Sequence, residues 1–511
     1  MNYPLWQIGI PGGLVIAMVA ILHVFISHFA IGGGAYLVLL ERKANRENDS
    51  GLLEYVKKHS VLFALLTLVF GAVSGVGIWF TIGLVSPEAT SSLIHTFVWG
   101  WAIEWVFFFV EIAAALIYAY GWDSMRRAAH MAVGWVYFVA AWASLVIING
   151  IITYMLTPGR WLQTHGFWDG FFNPTYWPSL VVRTGMAVVL AGMFGLVTGL
   201  RIASPVREKI IRYAGWWILL GLLFLVLPVR WYYSDFPPEA KAYFTTILPG
   251  MHHVFNLGVA AAALSFVLTA LFAIAKPAWL RASMVAIILL CGLTIIGSGE
   301  YDREVARKPY AITNYIYSND LRLAEMPALD KTGFVTTAKW VNRSDASEYS
   351  TGQQLFRMQC GVCHSLNGYR AMARRVVGWD KEFAKDALLH LPKMRGTMPP
   401  FAGNEQDRTA VATYLASLAP APAPSADEAA QGRLVFEERC AMCHTIGGMF
   451  RPLEFGGMDV DAIDGMLQQL DVLSPDMPPF HGSDAERKAL SVFLHSGARI
   501  DSRSSRSGQS Q

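Results

Sequence analysis

Cys360-Gly-Val-Cys363-His364 and Cys440-Ala-Met-Cys443-His444 decide how this chain is read. Two thiols three positions apart on a short turn can each close a thioether onto a haem vinyl group, and the adjoining histidine then meets the iron. A zinc site or a dithiol redox centre has no use for that histidine. Zinc would also want two further ligands, whereas four of the five cysteines are consumed by the two motifs. The fifth, Cys291, reads as core filling. Each motif is followed by the same four residues, Met-Pro-Pro-Phe, beginning at Met398 and at Met477. The last third of the sequence is therefore an internal duplication that holds two covalent c-type haems, and the chemistry is electron transfer.

Each copy reads as an opening helix (352–359; 431–439), the haem motif, a loop with the methionine, and a closing helix (405–417; 485–496). This order resembles class I cytochrome c. The resemblance makes His364 with Met398, and His444 with Met477, the axial pairs. A thioether opposite imidazole favours ferrous iron and raises the potential, so both haems are expected to be low-spin carriers. Met394 competes with Met398 and is expected to pack a haem edge. The domains fall at 346–418 and 429–500. The stretch Ala419-Pro-Ala-Pro-Ala-Pro-Ser425, within 419–428, reads as a short stiff linker. The Ser/Arg/Gln-rich end, 501–511, reads as disordered.

The rest of the chain obeys a different solvent. With 54% hydrophobic and 15% charged residues and a mean hydropathy of +0.36, the 511 residues cannot form a water-soluble globule. Apolar runs long enough to span a bilayer lie near 11–40, 61–85, 92–120, 130–156, 178–203, 210–230, 243–275 and 281–299. The expected fold class is all-α: a polytopic helix bundle over 1–310 with about eight spans, a connector at 311–345, and two small helical haem domains. Connections after spans one, three, five and seven hold thirteen Lys and Arg; the opposite side holds three. The positive-inside rule then puts both termini outside the cytoplasm, with the haem tail on the periplasmic side of a bacterial inner membrane. The first span lacks a cleavage signal and reads as a retained helix. A net charge of +3 gives no case for nucleic acid.

Titratable side chains at membrane depth are costly, and such groups mark function. His23 and His28 lie in span one, Glu104 and Glu111 seven apart on one face of span three, and Arg183 and Met186 in span five. His252-His253 opens span seven, and Glu300-Tyr-Asp-Arg-Glu304 closes span eight. His23, followed by Ile31-Gly-Gly-Gly-Ala-Tyr-Leu-Val-Leu-Leu-Glu41, resembles the first helix of cytochrome bd oxidase subunit I. Gly71-Ala-Val-Ser-Gly75, Ala102-Ile-Glu104, Gly121-Trp-Asp, Asn149-Gly150 with Thr157-Pro158, and Glu304-Val-Ala-Arg307-Lys-Pro309-Tyr310 are similar to further motifs of that family, in its order.

That resemblance implies that His23 is the axial ligand of an oxygen-reducing haem, with Glu104 beside the same iron and Glu111 delivering protons. It makes Glu304 the ligand of a second high-spin haem and Arg307 a partner of a haem propionate. Two or three membrane haems, of b or d type, are implied. The Glu104 to Glu111 interval is one residue shorter than the family's, which leaves their roles open to exchange by a turn. The family's low-spin ligands do not align; Met186 with His253, or with His252 as second choice, is the substitute pair. The family's long quinol loop after span six is missing, and only a short stretch joins Trp231 to Phe244. The fused haems replace that electron entry. The expectation is a bd-type oxidase, the branch with C-terminal c-type haems, fed by a periplasmic donor such as a small cytochrome c, reducing oxygen, and paired with a second membrane subunit in a lipid bilayer. The alternative is an electron conduit between quinol, or another membrane complex, and a periplasmic cytochrome c, without oxygen chemistry.

Overall fold

The structure, a computed structural model, describes Trp6 and residues 9–202, 206–248, 250–418, 420, 423–444, 453, 455 and 458–497. Of the expected linker, Ala419, Ala421 and Pro422 lie outside the described residues, as does the end from residue 498. The chain divides into two compact units: Val15–Lys241 with Gly250–Arg307, and Met1–Leu14 with Ala242–Pro249 and Lys308–Gln511.

Among the described residues, eight helices are long and apolar enough to cross a membrane. They are Gly12–Glu47, Ser50–Val85, Val98–Tyr120, Arg127–Tyr154, Tyr176–Gly199, Val206–Ser234, Met251–Ala275 and Ala282–Ala306, numbered one to eight below. A backbone in hydrocarbon must satisfy its own hydrogen bonds, so each long apolar run closes into a helix. Polar caps set the starts where the chain is in water: the Asp49 carboxylate accepts from the Leu52 amide at 2.9 Å to open span two. The run read as 243–275 is shorter than expected. The span begins at Met251, and Ala242–Pro249 belong to the other unit.

Consecutive spans three and four, five and six, and seven and eight pack as antiparallel pairs. Span five also packs on spans four and eight and is the most enclosed helix of the bundle. Span one joins by stacking Phe29 on Phe194 of span five, ring centroids 3.9 Å apart, and by setting Tyr36 against Trp217 of span six. Span two contains a π-helical turn at Leu66–Gly71, a distortion that shifts the faces of the helix after it. Cys291 is buried, as its reading as core filler requires.

In the second unit, two modules repeat one plan. The helix Glu348–Gln359 crosses the closing helix Glu405–Ala416, and Glu428–Val435 crosses Asp484–Gly497. The crossing is backbone to backbone. A side chain on Gly352 would run into the Ala410 carbonyl, and one on Gly432 into the Ala489 carbonyl, so glycine is required at the same place twice. The first opening helix is capped by Ser347 and the second by Asp427; Asn404 and Asp407 form a capping box on the first closing helix. The first module has the larger core, because Leu321, Leu329, Phe334, Ala338 and Val341 of the preceding connector pack into it.

The two modules also touch each other. The Trp379 indole donates to the Glu438 carbonyl at 3.1 Å, Asp386 meets His481 at 2.5 Å, and Lys393 pairs with Asp476 at 3.2 Å. The stiff-linker reading missed this docking, because no local pattern marks which surface residues of two modules will meet.

Candidate functional site

The haem motifs form matching turns. The amides of Cys363 and His364 both donate to the Cys360 carbonyl, at 3.1 and 2.9 Å, and those of Cys443 and His444 to the Cys440 carbonyl at 3.0 and 2.9 Å. Both thiols and the imidazole of each motif therefore sit on one tight turn. All five cysteines are free of disulfides. Burial pushes the Cys360 and Cys440 thiols up to about 12. Burial also holds the His364 imidazole down to about 4, so it is neutral at physiological pH and keeps a lone pair for a metal. The His364 Nδ1 faces the Arg370 carbonyl at 3.4 Å, which leaves Nε2 as the ligating nitrogen. These residues fit a covalent haem. Met394 is buried, while Met398 and Met477 are part-exposed on the loops before each closing helix.

Gly13 and Tyr243, both of the unit that holds the haem modules, meet the first module at this point. The Gly13 amide donates to the Val362 carbonyl, inside the haem motif, at 3.2 Å. The Tyr243 hydroxyl sits on the Lys308 carbonyl at 2.5 Å and on the Gly396 carbonyl, two residues before Met398. Burial raises that phenol to about 12, so it remains a donor.

In the membrane unit, His23 meets span two just past its π turn. Its Nδ1 lies 3.0 Å from the Ser74 hydroxyl, and its ring lies against Gly75, where a Cβ would approach to 3.3 Å. Nδ1 is thereby occupied and Nε2 left for a metal, the arrangement an axial imidazole needs. Glu104 and Glu111 both turn onto span four. Ser144 donates to Glu104 at 3.0 Å, and Tyr137 donates to Glu111 at 3.0 Å while also facing the Ala30 carbonyl at 3.1 Å.

One turn-pair further along the same seam is a site that the sequence reading missed. Tyr118 donates to Glu41 at 2.7 Å, and His130 places Nδ1 3.1 Å from both oxygens of Glu41 and Nε2 2.9 Å from the Tyr118 carbonyl. Glu41 and His130 are almost fully buried, and Tyr118 stacks on the imidazole. The carbonyl obliges Nε2 to carry a hydrogen, which leaves Nδ1 facing the Glu41 carboxylate. The signal was present: 104, 111 and 118 on span three and 144, 137 and 130 on span four step by seven in opposite directions, which keeps each set on one helix face.

Span eight ends with Glu304 in close ion pairing with Arg307, and Arg307 is buried. The expected low-spin pair fares differently. Met186 is buried at 4% exposure in the middle helix, whereas His252 and His253 are exposed at the start of span seven. Asn149 and Thr157, quoted for their motif, tie span four to span five: Asn149 donates to the Tyr176 carbonyl at 2.8 Å, and Thr157 meets Thr175 at 2.7 Å.

The comparisons agree with this division of labour. Residues 14–229 match the family model described as cytochrome bd terminal oxidase subunit I. Residues 347–415 and 427–494 match that of cytochrome c oxidase, cbb3-type, subunit III. The fold is similar to the structure of bd oxidase from Geobacillus thermodenitrificans, with a TM-score of 0.53 and 15% identity, over 61% of this chain and 91% of that one. None of the curated proteins matches this chain. A cytochrome bd subunit I domain at the N-terminal end is thus joined to two cytochrome c domains at the C-terminal end.

Proposed function

We propose that this chain, a cytochrome bd subunit I domain joined to two cytochrome c domains, is a respiratory oxygen reductase that takes electrons from an external one-electron donor. The observation that carries this reading is the seam of protonatable groups on spans one, three and four. Reduction of oxygen to water consumes protons as well as electrons, and a conduit of electrons alone has no use for Glu104, Glu111 and the Glu41 and His130 pair in a row.

Haem, when bound, supplies one-electron carriers in the tail and an oxygen-reactive iron in the membrane. Everything else falls to the chain. His23 would hold the reactive iron through Nε2, since Ser74 faces Nδ1. Glu111 holds a proton that Tyr137 orients, and Glu104 receives it beside the reaction site. Cys360, Cys363, His364 and Met398, with Cys440, Cys443, His444 and Met477, would bind the two tail haems, and Glu304 and Arg307 would serve a further membrane haem. Met186 and His253 remain the proposed low-spin pair. The missing quinol loop supports entry of electrons through the tail from a periplasmic protein such as a small cytochrome c. The lysine and arginine distribution supports a tail on the periplasmic side of an inner membrane, and a second membrane subunit completes the assembly.

Oxygen uptake by the purified protein, driven by a reduced soluble cytochrome c, tests the proposal. Uptake that His23→Ala abolishes supports it. A wild-type protein that passes electrons to an acceptor but consumes no oxygen favours the conduit.

A further inference from the structure

The tail is a duplication, so each surface of one module has its equivalent on the other. Counting back from Met398 and Met477, the two segments run in step without a gap. Asp380 caps Lys381–Leu389 as Asp459 caps Val460–Leu467, and the short helices Leu391–Arg395 and Leu470–Leu473 follow. In the first module this helix face is covered by the second module. Trp379, Asp386 and Lys393 meet Glu438, His481 and Asp476, and Phe383 is only 3% exposed beneath the Arg439 guanidinium, 5.8 Å from its ring. The contact is head to tail. The first module offers its helix face, and the second offers the approach to its haem motif and its methionine loop. Two copies joined in this way leave one helix face over.

That remaining face, on the second module, has a different character. From Trp379 to Met398 the first module holds four Lys and Arg against three Asp and Glu; from Met458 to Met477 the second holds five aspartates and no Lys or Arg. Asp464 is paired with Arg487 at 3.0 Å and Asp476 with Lys393 at 3.2 Å, while Asp459, Asp461 and Asp471 are exposed. Where the first module has Lys393 and Met394, the second has Val472 and Leu473, 77% and 53% exposed. Apolar side chains left in water among unneutralised carboxylates suit a docking surface, in which the apolar centre excludes water and the charged rim steers the partner. This surface runs straight into the methionine loop: the Met477 amide donates to the Ser474 carbonyl at 3.0 Å.

We infer that the face around Asp461, Asp471, Val472 and Leu473 is where the external electron donor docks, and that the donor is a small soluble one-electron carrier with Lys and Arg around its redox centre. This rests on the reading that the tail is fed from outside. The contact between the two modules supplies the template. Arg439, which adjoins Cys440, lies 3.8 Å from Asp380, and Asp459 stands where Asp380 stands, so a basic residue beside the donor's own redox centre would take the place of Arg439. In the step itself the donor loses one electron and the second module gains it; no proton moves.

The test is stopped-flow mixing of the full-length oxidised protein, haems in place, with a reduced basic cytochrome c, with a reduced acidic one, and with a small neutral reductant. For the basic protein the bimolecular rate of tail reduction should fall about tenfold or more as salt is raised. Asp461→Lys with Asp471→Lys should lower the low-salt rate by about tenfold or more, and Val472→Ser with Leu473→Ser should lower it at every salt. Reduction by the small reductant should be unchanged in both. Glu382→Lys, which stands in the first module where Asp461 stands in the second, should stay within about twofold of wild type. Without any turnover, a carbodiimide should join donor lysines to Asp459, Asp461 or Asp471. Wild-type rates in the double lysine variant, equal slowing by Glu382→Lys, cross-links confined to the first module, or reduction by the acidic cytochrome alone would each overturn the inference. If the double lysine variant does not accumulate, Asp461→Asn with Asp471→Asn decides, and a salt dependence as steep as wild type counts against the site. A wild-type tail that the small reductant reduces but neither cytochrome does would instead sink the reading that it is fed by an external protein, so the two failures are distinguishable.

Discussion

The tail and the membrane bundle assemble their ligands by opposite routes. In the tail, five consecutive residues bring two thiols and an imidazole onto one turn, and the methionine follows within the same small module. In the bundle, each working side chain comes from a different helix: His23 from span one against Ser74 of span two, Glu111 from span three against Tyr137 of span four, Arg183 from span five against Glu300 of span eight. A local motif survives as sequence, whereas a site built across helices exists only once the helices have packed.

The largest effect separating the two regions should come from the glycines at the helix crossings of the tail. Gly352→Val and Gly432→Val force a side chain into a carbonyl and should cost about 3 kcal/mol or more, a large part of the stability of a small module. Loss of covalent haem from only the altered module, read by haem staining and pyridine haemochrome, is the expected result, with the membrane haem content unchanged. If membrane haem falls in parallel, the two regions are less independent than their construction suggests.

A proton effect should follow in the bundle alone. Glu111→Gln preserves size and removes the titrating group, so oxygen uptake should fall by roughly 10²-fold. The spectra of all haems should be retained. Tyr137→Phe should fall less, since it orients the proton without holding it. Equal activity of Glu111→Gln and wild type would leave the carboxylate seam without a role.

Smaller again are effects on potential in the tail. Met398→Ala and Met477→Ala replace a thioether by a harder ligand or water, and each should lower the potential of its own haem only. Redox titration resolves the two. Smallest is Tyr243→Phe, which deletes the hydrogen bond to the Gly396 carbonyl near Met398, a contribution of about 1 kcal/mol. A modest loss of thermal stability in the first module is expected, with no change in the second; equal loss in both would mean that the modules melt together through the contacts of Trp379 and His481.

What could be read in advance follows the same contrast. The duplicated haem motifs and the eight spans rest on local patterns, and so does the placement of Glu104 and Glu111 on one face. The π turn that brings Ser74 to His23 depends on packing that no single helix reveals. Glu41, Tyr118 and His130 were legible only by reading spans three and four against each other at seven-residue steps. The Met186 and His253 pairing stands in for family ligands that do not align in this sequence, and the sequence gives no sign that one of these side chains is enclosed and the other exposed. The attachment of Ala242–Pro249 to the tail unit was hidden because apolar residues on either side of Pro249-Gly250 share one hydropathy profile.

The central claim, that the membrane unit carries an oxygen-reactive iron on His23, meets its most direct test in one difference spectrum. The reduced protein is recorded with and without carbon monoxide, for wild type and for His23→Ala. The account predicts a carbon monoxide-sensitive component in the wild type that disappears in the variant, while both covalent haems keep their reduced spectra. A wild type with no such component, or a variant that retains it, would contradict the account.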